Sequence, residues 1–457
     1  MNHARRALIV VDLGFGDAGK GSLVDFLTRA CAANTVIRFN GGAQAAHNVI
    51  TPAGRHHTFA QFGSGTLLPG VRTYLSRFML VDPYAMFNEA QHLRAVGVPD
   101  AFARTMLDRR ALIITPFQQA ANRLKELARR DNRHGTCGLG IGETMSDFLR
   151  YPGAVVYAGD LPDRQTITQK LRLLRDLKRG EIGDLMRGLS GDPAAGADLD
   201  VFTARDLIAV AAENYAYLAA QLALVDDAAL RELLSADGTV IFEGAQGVLI
   251  DESYGFAPYT TWSNTTFANA LTLLAGYSGQ ITRLGVFRTY FTRHGPGPFV
   301  TEDETLAARL PERHNGMSPW QREFRVGHFD LVAARYALAA AGGADGLAIT
   351  HVDRLHNRAD TALCDAYRSN EPPETLTPYF NHDGPAITAI KVQRPPRWDH
   401  QEELTRYLFH CMPHYPRDAG WADENTYLSR LEEALGIPVL LTSAGPTAAD
   451  KQIRGRL

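Results

Sequence analysis

The chain has 457 residues, 45% of them hydrophobic and 21% charged, a balance typical of a globular protein that buries a sizeable core. Its net charge of −3 provides no electrostatic basis for binding nucleic acid or an acidic membrane surface. The four cysteines are scattered without C-x-x-C spacing, which disfavours a zinc site and favours a reduced, cytoplasmic protein. No stretch reads as a signal peptide or a bilayer-spanning helix.

The N-terminal stretch, residues 7–25 (ALIVVDLGFGDAGKGSLVD), predicts a strand, a glycine-rich turn and the start of a helix. In such a turn, backbone N–H groups converge beside a helix N-terminus, and this arrangement favours a phosphate. A P-loop would carry Ser or Thr after the lysine, but this chain has Gly21 there and places a carboxylate, Asp17, inside the turn. The sequence therefore predicts a phosphate-binding loop that contains a reactive acid.

Two further segments combine small residues with side chains that can act on a ligand. A strand predicted over 35–39 is followed by residues 40–48 (NGGAQAAHN), in which His47 can act as an acid or a cation. Residues 131–142 (DNRHGTCGLGIG) form a second glycine-rich loop. Taken alone, His47 is more often a structural histidine, and such a loop is equally a surface connection, so neither establishes a site by itself.

The second half of the chain repeats the alternation of strands and polar loops. Helices are predicted over 165–189 and 204–223, and strands over 239–242, 346–353 and 438–442. The strands lead into EGAQG at 243–247, an aspartate at 353 and SAGP at 443–446. This pattern predicts an α/β fold around a mostly parallel central sheet, with ligands at the carboxyl ends of the strands. Since no linker or internal repeat is visible, residues 1–457 are expected to form one large domain.

Seven segments of the chain resemble motifs of the adenylosuccinate synthetase family. They are GDAGKG at 16–21, GGAQAAHN at 41–48, FEGAQG at 242–247, TWSNTT at 261–266, TRHGPGPF at 292–299, THVD at 350–353 and SAGP at 443–446. Because the matches keep the family's order between residues 12 and 446, the resemblance covers nearly the whole chain.

The resemblance implies a P-loop-like GTP-binding ligase fold, a cytoplasmic homodimer and a reaction in two steps. In this family, GTP with Mg²⁺ phosphorylates the 6-oxo group of the purine nucleotide IMP, and the amine of aspartate then displaces the phosphate. The chemistry agrees with the residues, since an oxo oxygen in an amide-like ring is a poor leaving group until it is esterified. A base must also remove the ring N–H proton as charge moves onto that oxygen.

The resemblance assigns roles to individual residues. It implies catalytic roles for Asp17, His47 and Lys20, with Asp17 as the base, and a Mg²⁺ site at Asp17 and Ala46. GTP would contact Gly16, Gly19, Lys20, Gly21, Asn48, His351, Asp353, Ser443, Gly445 and Pro446, with Asp353 selecting guanine. The oxo nucleotide would contact Gln44, Thr136, Cys137, Gln246, Thr261 and an arginine near Arg150 or Tyr151 that comes from a neighbouring subunit. The amine would contact Leu139, Trp320, Arg322 and Phe324.

The sequence departs from the family mainly where the amine should bind. Leu139 replaces an arginine of the aspartate pocket, and Phe324 replaces one of two arginines in the amino-acid loop, where Arg322 matches the other. Losing guanidinium partners would weaken the binding of a dicarboxylate by several kcal/mol, because charge-assisted hydrogen bonds are the strong ones. The amine donor is therefore left open between aspartate and another amine.

The nucleotide pockets differ less from the family pattern. Gln44 replaces an asparagine and Cys137 a threonine, while Asn48 replaces a threonine and His351 a lysine. The phosphoryl-transfer residues are kept, whereas the acceptor pockets differ. A specialised paralogue would show this pattern.

Two other interpretations compete with a ligase. A catalytically silent nucleotide-binding protein would need neither Asp17 nor His47, and a kinase would release a phosphorylated product without an amine. At single positions, Asp353 and Ser443 are also compatible with local capping, and Arg293 with a structural ion pair.

Overall fold

The computed structural model describes residues 5–130, 133–310, 312, 320, 323–356, 362–416, 421 and 423–457. Arg322, which the resemblance places in the amine pocket, and residues 131–132 of the second glycine-rich loop lie outside these ranges. No helix within the described ranges is long and apolar enough to cross a bilayer.

The strands alternate with helices along most of the chain. The strands are β1 Arg6–Asp12, β2 Thr35–Arg38, β3 His47–Ile50, β4 His56–Phe59, β5 Arg72–Leu75, β6 Leu80–Val81, β7 Thr105–Asp108, β8 Leu112–Ile113, β9 Val156–Tyr157, β10 Ala223–Val225, β11 Thr239–Gly247, β12 Gln280–Arg288, β13 Phe291–His294, β14 Phe324–Gly327, β15 Phe329–Asp330, β16 Gly346–Thr350, β17 Leu363–Cys364, β18 Ala366–Ser369, β19 Phe380–Asp383, β20 Ala386–Ile390, β21 Cys411–His414, β22 Val439–Ser443 and β23 Lys451–Ile453. The helices are α1 Lys20–Ala30, α2 Pro83–Ala95, α3 Pro116–Ala128, α4 Ile141–Arg150, α5 Arg164–Gly188, α6 Gly196–Asp200, α7 Leu207–Gln221, α8 Asp227–Ser235, α9 Ala268–Leu273, α10 Glu304–Arg309, α11 Leu331–Ala341, α12 Pro373–Leu376, α13 Trp398–Leu408 and α14 Glu424–Leu435.

Ten strands form the central sheet, in the order β10-β7-β5-β2-β11-β1-β12-β16-β22-β23. Every pairing is parallel except that of the edge strand β23, which runs antiparallel to β22. The predicted α/β fold with a mostly parallel sheet is therefore confirmed. Smaller sheets of two to four strands flank it, among them the hairpin β3–β4 and the pair β13–β14.

Both faces of the central sheet are buried, as the apolar run of β1 predicts. Ile9 and Val11 face one core, which includes much of α11, whereas Leu8 and Val10 face another, which includes Leu23 of α1. Alternate side chains of a strand point to opposite faces, so a strand covered on both sides must be apolar throughout.

Two predicted strand ends were wrong, and both errors fall at the site described below. β11 continues to Gly247 rather than ending at residue 242, because its small residues pair with β1 through a register shift. β16 ends at Thr350, and Asp353 lies in a short 3₁₀ turn, Val352–His356. The predicted helix 204–223 begins and ends slightly inside those limits, at Leu207–Gln221.

Candidate active site

A cavity of about 460 Å³ opens at the carboxyl ends of the central strands. Its lining contains many of the residues singled out in the sequence: Gly16, Asp17, Gly19, Lys20, Gly21, Gln44, Ala46, His47, Asn48, Gln246, His351, Asp353, Ser443, Gly445 and Pro446. The carboxyl edge of a parallel sheet is where loops from separate strands converge. The fold therefore brings together the predicted catalytic and GTP-binding residues.

The phosphate-binding loop between β1 and α1 is organised by a buried carboxylate that sequence reasoning missed. Asp12 accepts hydrogen bonds from the backbone N–H groups of Gly14 and Ala18, both at 2.9 Å. It also forms an ion pair of 3.0 Å with the Nζ of Lys20, which in turn donates to the carbonyl of Gln246 at 2.8 Å. Lys20 is 3% exposed, so its charge is held at the base of the cavity by a partner within the same loop.

Steric hindrance explains why this loop has glycine at position 21, where a P-loop has Ser or Thr. A Cβ atom on Gly21 would lie 2.6 Å from the Cβ of His47. Such a distance is shorter than any real side-chain contact, so Ser or Thr at position 21 would displace His47 from the cavity. The absence of a side chain at Gly21 therefore allows His47 to pack against the first turn of α1, in the space that the P-loop hydroxyl would occupy.

His47 is oriented by a buried carboxylate at the end of β11. Its Nδ1 lies 2.6 Å from Oε1 of Glu243, which also accepts hydrogen bonds from the backbone and the hydroxyl of Ser64. Burial lowers the pKa of His47, against the opposing effect of Glu243. Burial alone would raise the pKa of Glu243, but hydrogen bonds from His47 and Ser64 hold it below its usual value.

This pairing determines which nitrogen of His47 can meet a ligand. A carboxylate only accepts, so Nδ1 of His47 carries the proton that Glu243 receives. Nε2 is then the atom left for a ligand in the cavity. An anion bound there would favour the protonated imidazole, in which Nε2 becomes a donor.

Five polar side chains of the cavity have buried atoms without a hydrogen-bond partner among the described residues. They are the amide of Gln44, Oε1 of Gln246, Nδ1 of His294, Oδ1 of Asp353 and Nε of Arg354. An unsatisfied buried polar atom costs free energy, and such atoms in a cavity indicate where a polar ligand binds. Gln246 also adopts φ +56°, as Asp17 and His351 do with φ +62° and +59°, so three cavity residues hold a backbone conformation that is rare outside glycine.

The residues predicted to bind guanine form one end of the cavity. Asp353 lies 3.2 Å from Nε of Arg354 through Oδ2, and Ser443 donates to the carbonyl of Gly445. His351 is hydrogen-bonded to Thr350, and burial holds its pKa well below the usual value, so this position is neutral. Lys451, a residue not predicted, donates to the carbonyl of Gly445 at 2.7 Å, and burial lowers its pKa to about 8.

Four further residues of the lining were not predicted, namely Arg288, Tyr290, His294 and Glu312, and Tyr290 packs edge-to-face against His351 with ring centroids 5.6 Å apart. Arg288 is 6% exposed and forms a buried ion pair with Glu312. Burial alone would lower the pKa of Arg288, but Tyr290 and Glu312 raise it, so the guanidinium is charged. Arg288 is the last residue of β12, and the rule that ligands collect at the carboxyl ends of parallel strands could have identified it.

The residues assigned to the amine lie beside the cavity rather than in its described lining. Trp320 packs over Gly138, where an added Cβ would lie 3.0 Å from the indole, so it is close to Leu139. Phe324 pairs with His294 across β13 and β14, with ring centroids 4.7 Å apart. Leu139, Trp320 and Phe324 are all half-buried. The side chains of Leu139, Trp320 and Phe324 are apolar, but His294 and the guanidinium of Arg288, 5.8 Å from the centroid of the Phe324 ring, lie beside Phe324.

The remaining predicted nucleotide residues occupy segments around the cavity without contributing to its described lining. Thr136 accepts a hydrogen bond from Asn122 at 3.0 Å, and burial raises the pKa of the Cys137 thiol. Thr261 hydrogen-bonds through its backbone to Ile250, a lining residue. Arg150 is exposed at the end of α4 and lies 3.8 Å from Glu181. The side chain of Arg150 is exposed, and its contact with a nucleotide in a neighbouring subunit stays a prediction.

Arg293 is structural in this protein. It is 2% exposed and donates to the carbonyls of Pro296 and Pro298 at 3.1 and 2.8 Å, while its guanidinium stacks on Phe15. It therefore holds the loop that follows β13 rather than a ligand.

The chemistry of the site fits a Mg²⁺ ion. Mg²⁺ in nucleotide enzymes is typically held by one or two carboxylates together with substrate phosphates. Asp17 faces the cavity with a side chain that is 32% exposed, and the exposed Ala46 lines the same cavity. Within the described ranges no group of three or more His, Cys, Asp or Glu side chains could hold a metal ion without a substrate.

The arrangement can perform phosphoryl transfer to an oxygen acceptor. Backbone N–H groups at the N-terminus of α1, Lys20 and Nε2 of His47 provide positive charge for phosphate groups, and Asp17 provides a carboxylate base beside them. Unpartnered Gln44 and Gln246 provide amide groups for a polar acceptor.

Comparisons with known proteins agree with this chemistry. The family model for adenylosuccinate synthetase matches residues 9–452. The adenylosuccinate synthetases of Clostridium beijerinckii and Thioalkalivibrio sulfidiphilus are 30% and 31% identical to this chain, over 96% of it and 97% and 96% of their own lengths.

Two solved structures share the fold. The fully ligated adenylosuccinate synthetase from Plasmodium falciparum superposes with a TM-score of 0.76 at 19% identity, covering 98% of this chain and 99% of that one. The cyanophage S-2L succinoaminodeoxyadenylate synthetase, bound to dGMP and dATP as an energy donor, gives a TM-score of 0.59 at 15% identity, covering 99% and 96%. At these identities the likeness extends to the fold alone.

Proposed function

The chain belongs to the adenylosuccinate synthetase family, and from that premise we propose that it uses GTP to phosphorylate the 6-oxo group of IMP or a close analogue. An amine then displaces the phosphate and forms a C–N bond. The family is one of GTP-dependent C–N ligases that use Mg²⁺, so the predicted enzyme class, GTP and Mg²⁺ are confirmed at the level of the family. The acceptor nucleotide, the amine, the homodimer and the cytoplasmic location stay predictions.

The observation that carries the proposal is the convergence of Asp17, Lys20 and His47 on one cavity. A protein that only bound GTP would need phosphate donors but no exposed carboxylate among them. Asp17 supplies that carboxylate, and its one described side-chain contact is with Nε2 of His294, 3.4 Å from Oδ2. It is therefore available to take a proton from the acceptor.

The first step follows from these positions. Asp17 removes the ring N–H proton of the nucleotide, and the electron pair moves through the ring to the oxo oxygen, which attacks the γ-phosphorus of GTP. The bond between the γ-phosphorus and the β–γ bridging oxygen breaks, and GDP leaves with that electron pair. Nε2 of His47 and the N–H groups of α1 hold the charge that develops on the transferring phosphoryl group. When bound, Mg²⁺ neutralises charge on the phosphates of GTP. Asp353 accepts from the N1–H and amino groups of guanine with its two carboxylate oxygens, of which Oδ1 has no hydrogen-bond partner among the described residues, and this selects GTP over ATP.

The second step is displacement at the same carbon. The amine nitrogen attacks the phosphorylated carbon, the carbon–oxygen bond breaks, and inorganic phosphate leaves with the electron pair. The nitrogen loses its extra proton, and the aromatic ring is restored. Phosphorylation is what makes the oxygen a leaving group, so GTP cleavage and C–N bond formation are stoichiometric.

Turnover of GTP, IMP and Mg²⁺ with single amines tests this function directly. We expect release of one phosphate and one GDP for each new nucleotide, whose mass gives the amine. Phosphate release that does not depend on IMP would refute the assignment of the acceptor. A phosphorylated nucleotide that accumulates regardless of the amine would favour the kinase interpretation.

The apolar amine side favours a donor other than aspartate as a second candidate. Leu139 and Phe324 stand where the family pattern has arginines, and the structure places Trp320 next to Leu139 and Phe324 next to His294. An apolar wall stabilises an aliphatic or aromatic side chain but provides no partner for a second carboxylate. We therefore propose an amine donor with an apolar substituent.

A panel of amines of matched size separates the two candidates. Leucine and phenylalanine should give larger kcat/KM values than aspartate if the apolar wall contacts the donor. A preference for aspartate of tenfold or more would show that other arginines bind its carboxylates.

A further inference from the structure

The residue that the proposed function makes the base, Asp17, has an uncommon backbone conformation. Its φ is +62°, in the left-handed region that non-glycine residues rarely adopt. Its neighbours Gly16 and Gly19 also have positive φ, of 109° and 87°, so flexible residues precede and follow it. Something outside the loop must therefore hold Asp17 in place.

Arg288 contacts the backbone of Asp17 from the end of β12. Its Nε donates a hydrogen bond of 2.7 Å to the carbonyl oxygen of Asp17, across 271 residues of sequence. The other side of the guanidinium is occupied, since Nη1 donates to the hydroxyl of Tyr290 at 3.0 Å and to Glu312. Because both partners are on the same cation, Arg288 cannot turn away without breaking a buried ion pair.

His294 contacts the side chain of Asp17 from the end of β13. Its Nε2 lies 3.4 Å from Oδ2 of Asp17. The imidazole is held edge-to-face against Phe324 of β14, and no other described residue is within ion-pair distance of the Asp17 carboxylate. His294 therefore contacts the side chain of Asp17 through its nearer oxygen, Oδ2.

We propose that Arg288 and His294 are positioning residues that clamp Asp17, one through its carbonyl and the other through its carboxylate. The clamp fixes the direction in which the carboxylate meets the ring N–H of the acceptor nucleotide. This inference rests on the proposed function for its chemistry, whereas the conformational part stands on the contacts alone. Phe324 belongs to both the clamp and the amine side, so the clamp also joins the two halves of the reaction.

The conformational part is tested without substrate by hydrogen–deuterium exchange of residues 13–19. Arg288→Met combined with Glu312→Gln removes both charges, so that no buried carboxylate is left unpaired. We expect amides of the loop to exchange about tenfold faster or more, as the loss of one charge-assisted hydrogen bond implies. Exchange unchanged from the wild type would overturn the clamp.

The chain provides a matched control on the same strand. Arg283 of β12 pairs with Asp345 at 2.8 Å, at the far end of the strand and partly exposed. Arg283→Met should leave exchange in the loop unchanged. If both arginine variants accelerate exchange equally, the effect is general destabilisation and the clamp is refuted. If the double variant fails to fold, Tyr290→Phe loosens Arg288 more gently and should accelerate exchange in the same loop.

The chemical part is tested by single-turnover formation of GDP from GTP and IMP. We expect the clamp variants to slow phosphoryl transfer by about 10–100-fold, the cost of misplacing a reacting group by about an ångström. The dissociation constant of GTP should stay within twofold. A parallel loss of GTP affinity would show that Arg288 only supports the fold of the nucleotide site.

His294 is tested by conservative rescue. Glutamine places its amide nitrogen near the position of Nε2, so His294→Gln should keep most of the rate, whereas His294→Leu should lose about tenfold. Equal rates in the two variants would exclude His294 from the clamp. If the wild type itself forms no GDP with IMP, the proposed function fails, and the exchange experiment still decides whether Asp17 is clamped.

Discussion

The two ends of the candidate site differ in the polarity of their side chains. Around the phosphate-binding loop, charges are buried and paired within the chain, as in Asp12–Lys20 and His47–Glu243. On the amine side, Leu139, Trp320 and Phe324 present apolar surface. The first end carries the charges that the proposed phosphoryl transfer needs, and the second is where we propose that the amine binds.

This difference indicates which part of the site can change in sequence while phosphoryl transfer is kept. Phosphoryl transfer needs charges at fixed distances, so the loop, His47 and its carboxylate must change together or not at all. An amine pocket needs only complementarity to one side chain, so a residue such as Leu139 can change without altering the charges that the first step needs.

The largest effect is expected from Asp17→Asn, which keeps the shape of the side chain and removes its basicity. Loss of a general base should lower kcat by about 10³–10⁴-fold, while the dissociation constant of GTP stays measurable and similar. The measurement is single-turnover GDP formation beside equilibrium binding. An unaffected kcat would mean that the polar end does not depend on this carboxylate.

The orienting role of Glu243 is tested by Glu243→Gln. The amide can present a donor to Nδ1 of His47, which reverses the hydrogen bond and the tautomer, so kcat should fall by about 100-fold. Ser64→Ala, which removes only a hydroxyl donor to Glu243, is the milder companion and should cost less than tenfold. Equal losses in the two variants would point to packing rather than to the tautomer.

The buried charge of Lys451 should lower the free energy of unfolding, and the pH dependence of that free energy measures the loss. Burial lowers its pKa from 10.5 to about 8, so between these values the unfolded chain binds more protons and the unfolding free energy rises with pH. Below about pH 8 the buried charge carries a penalty of up to about 3 kcal/mol. Lys451→Met should therefore stabilise the protein at pH 7, and its advantage should shrink towards pH 10.5. Urea denaturation at several pH values measures this difference, and a constant difference would contradict it.

Selection of guanine is tested by Asp353→Asn. The amide accepts from only one of the two guanine donors, and the loss of a charge-assisted hydrogen bond should weaken GTP binding by about 30-fold. XTP, whose 2-oxo group can accept from the new amide, should lose less affinity than GTP. Unchanged discrimination would remove Asp353 from the guanine pocket.

The smallest effect is expected where the amine side is made to resemble the family. Leu139→Arg with Phe324→Arg should raise kcat/KM for aspartate by only about fivefold, because arginines introduced without supporting hydrogen bonds recover a small part of the several kcal/mol that aligned guanidinium partners provide. The rate with apolar amines should fall. Leu139→Met with Phe324→Leu is the control that keeps the pocket apolar, and it should not improve the use of aspartate.

Much of the architecture follows from sequence pattern alone. The run from β1 through the glycine-rich turn to α1 could be predicted because its apolar residues, glycines and helix start are local signals. The strand-end rule placed Asp353 and Ser443 near one ligand. It failed in detail at Gly247, because pairing of β11 with β1 extends a strand through residues that look like a loop.

The contacts that tune the site could not be predicted in this way. The reason for Gly21 is the approach of His47, and the reason for the orientation of Asp17 is Arg288, 271 residues away. Such contacts depend on the positions of β12 and β13 relative to β1. They produce no periodic pattern of residues from which they could be predicted. Asp12 was not singled out in the sequence because its partners, the N–H groups of Gly14 and Ala18, converge on it only once the turn is folded.

The most direct test of phosphorylation at the oxo group follows one oxygen atom. With [6-¹⁸O]IMP, GTP, Mg²⁺ and the amine that gives the largest kcat/KM in the panel, the oxo oxygen should leave in the inorganic phosphate. Mass spectrometry should therefore find one ¹⁸O in each phosphate released in coupling. Unlabelled phosphate, formed at the same rate, would show that GTP is hydrolysed by water and would contradict the assignment of Asp17 and His47 to an oxygen-phosphorylating ligase.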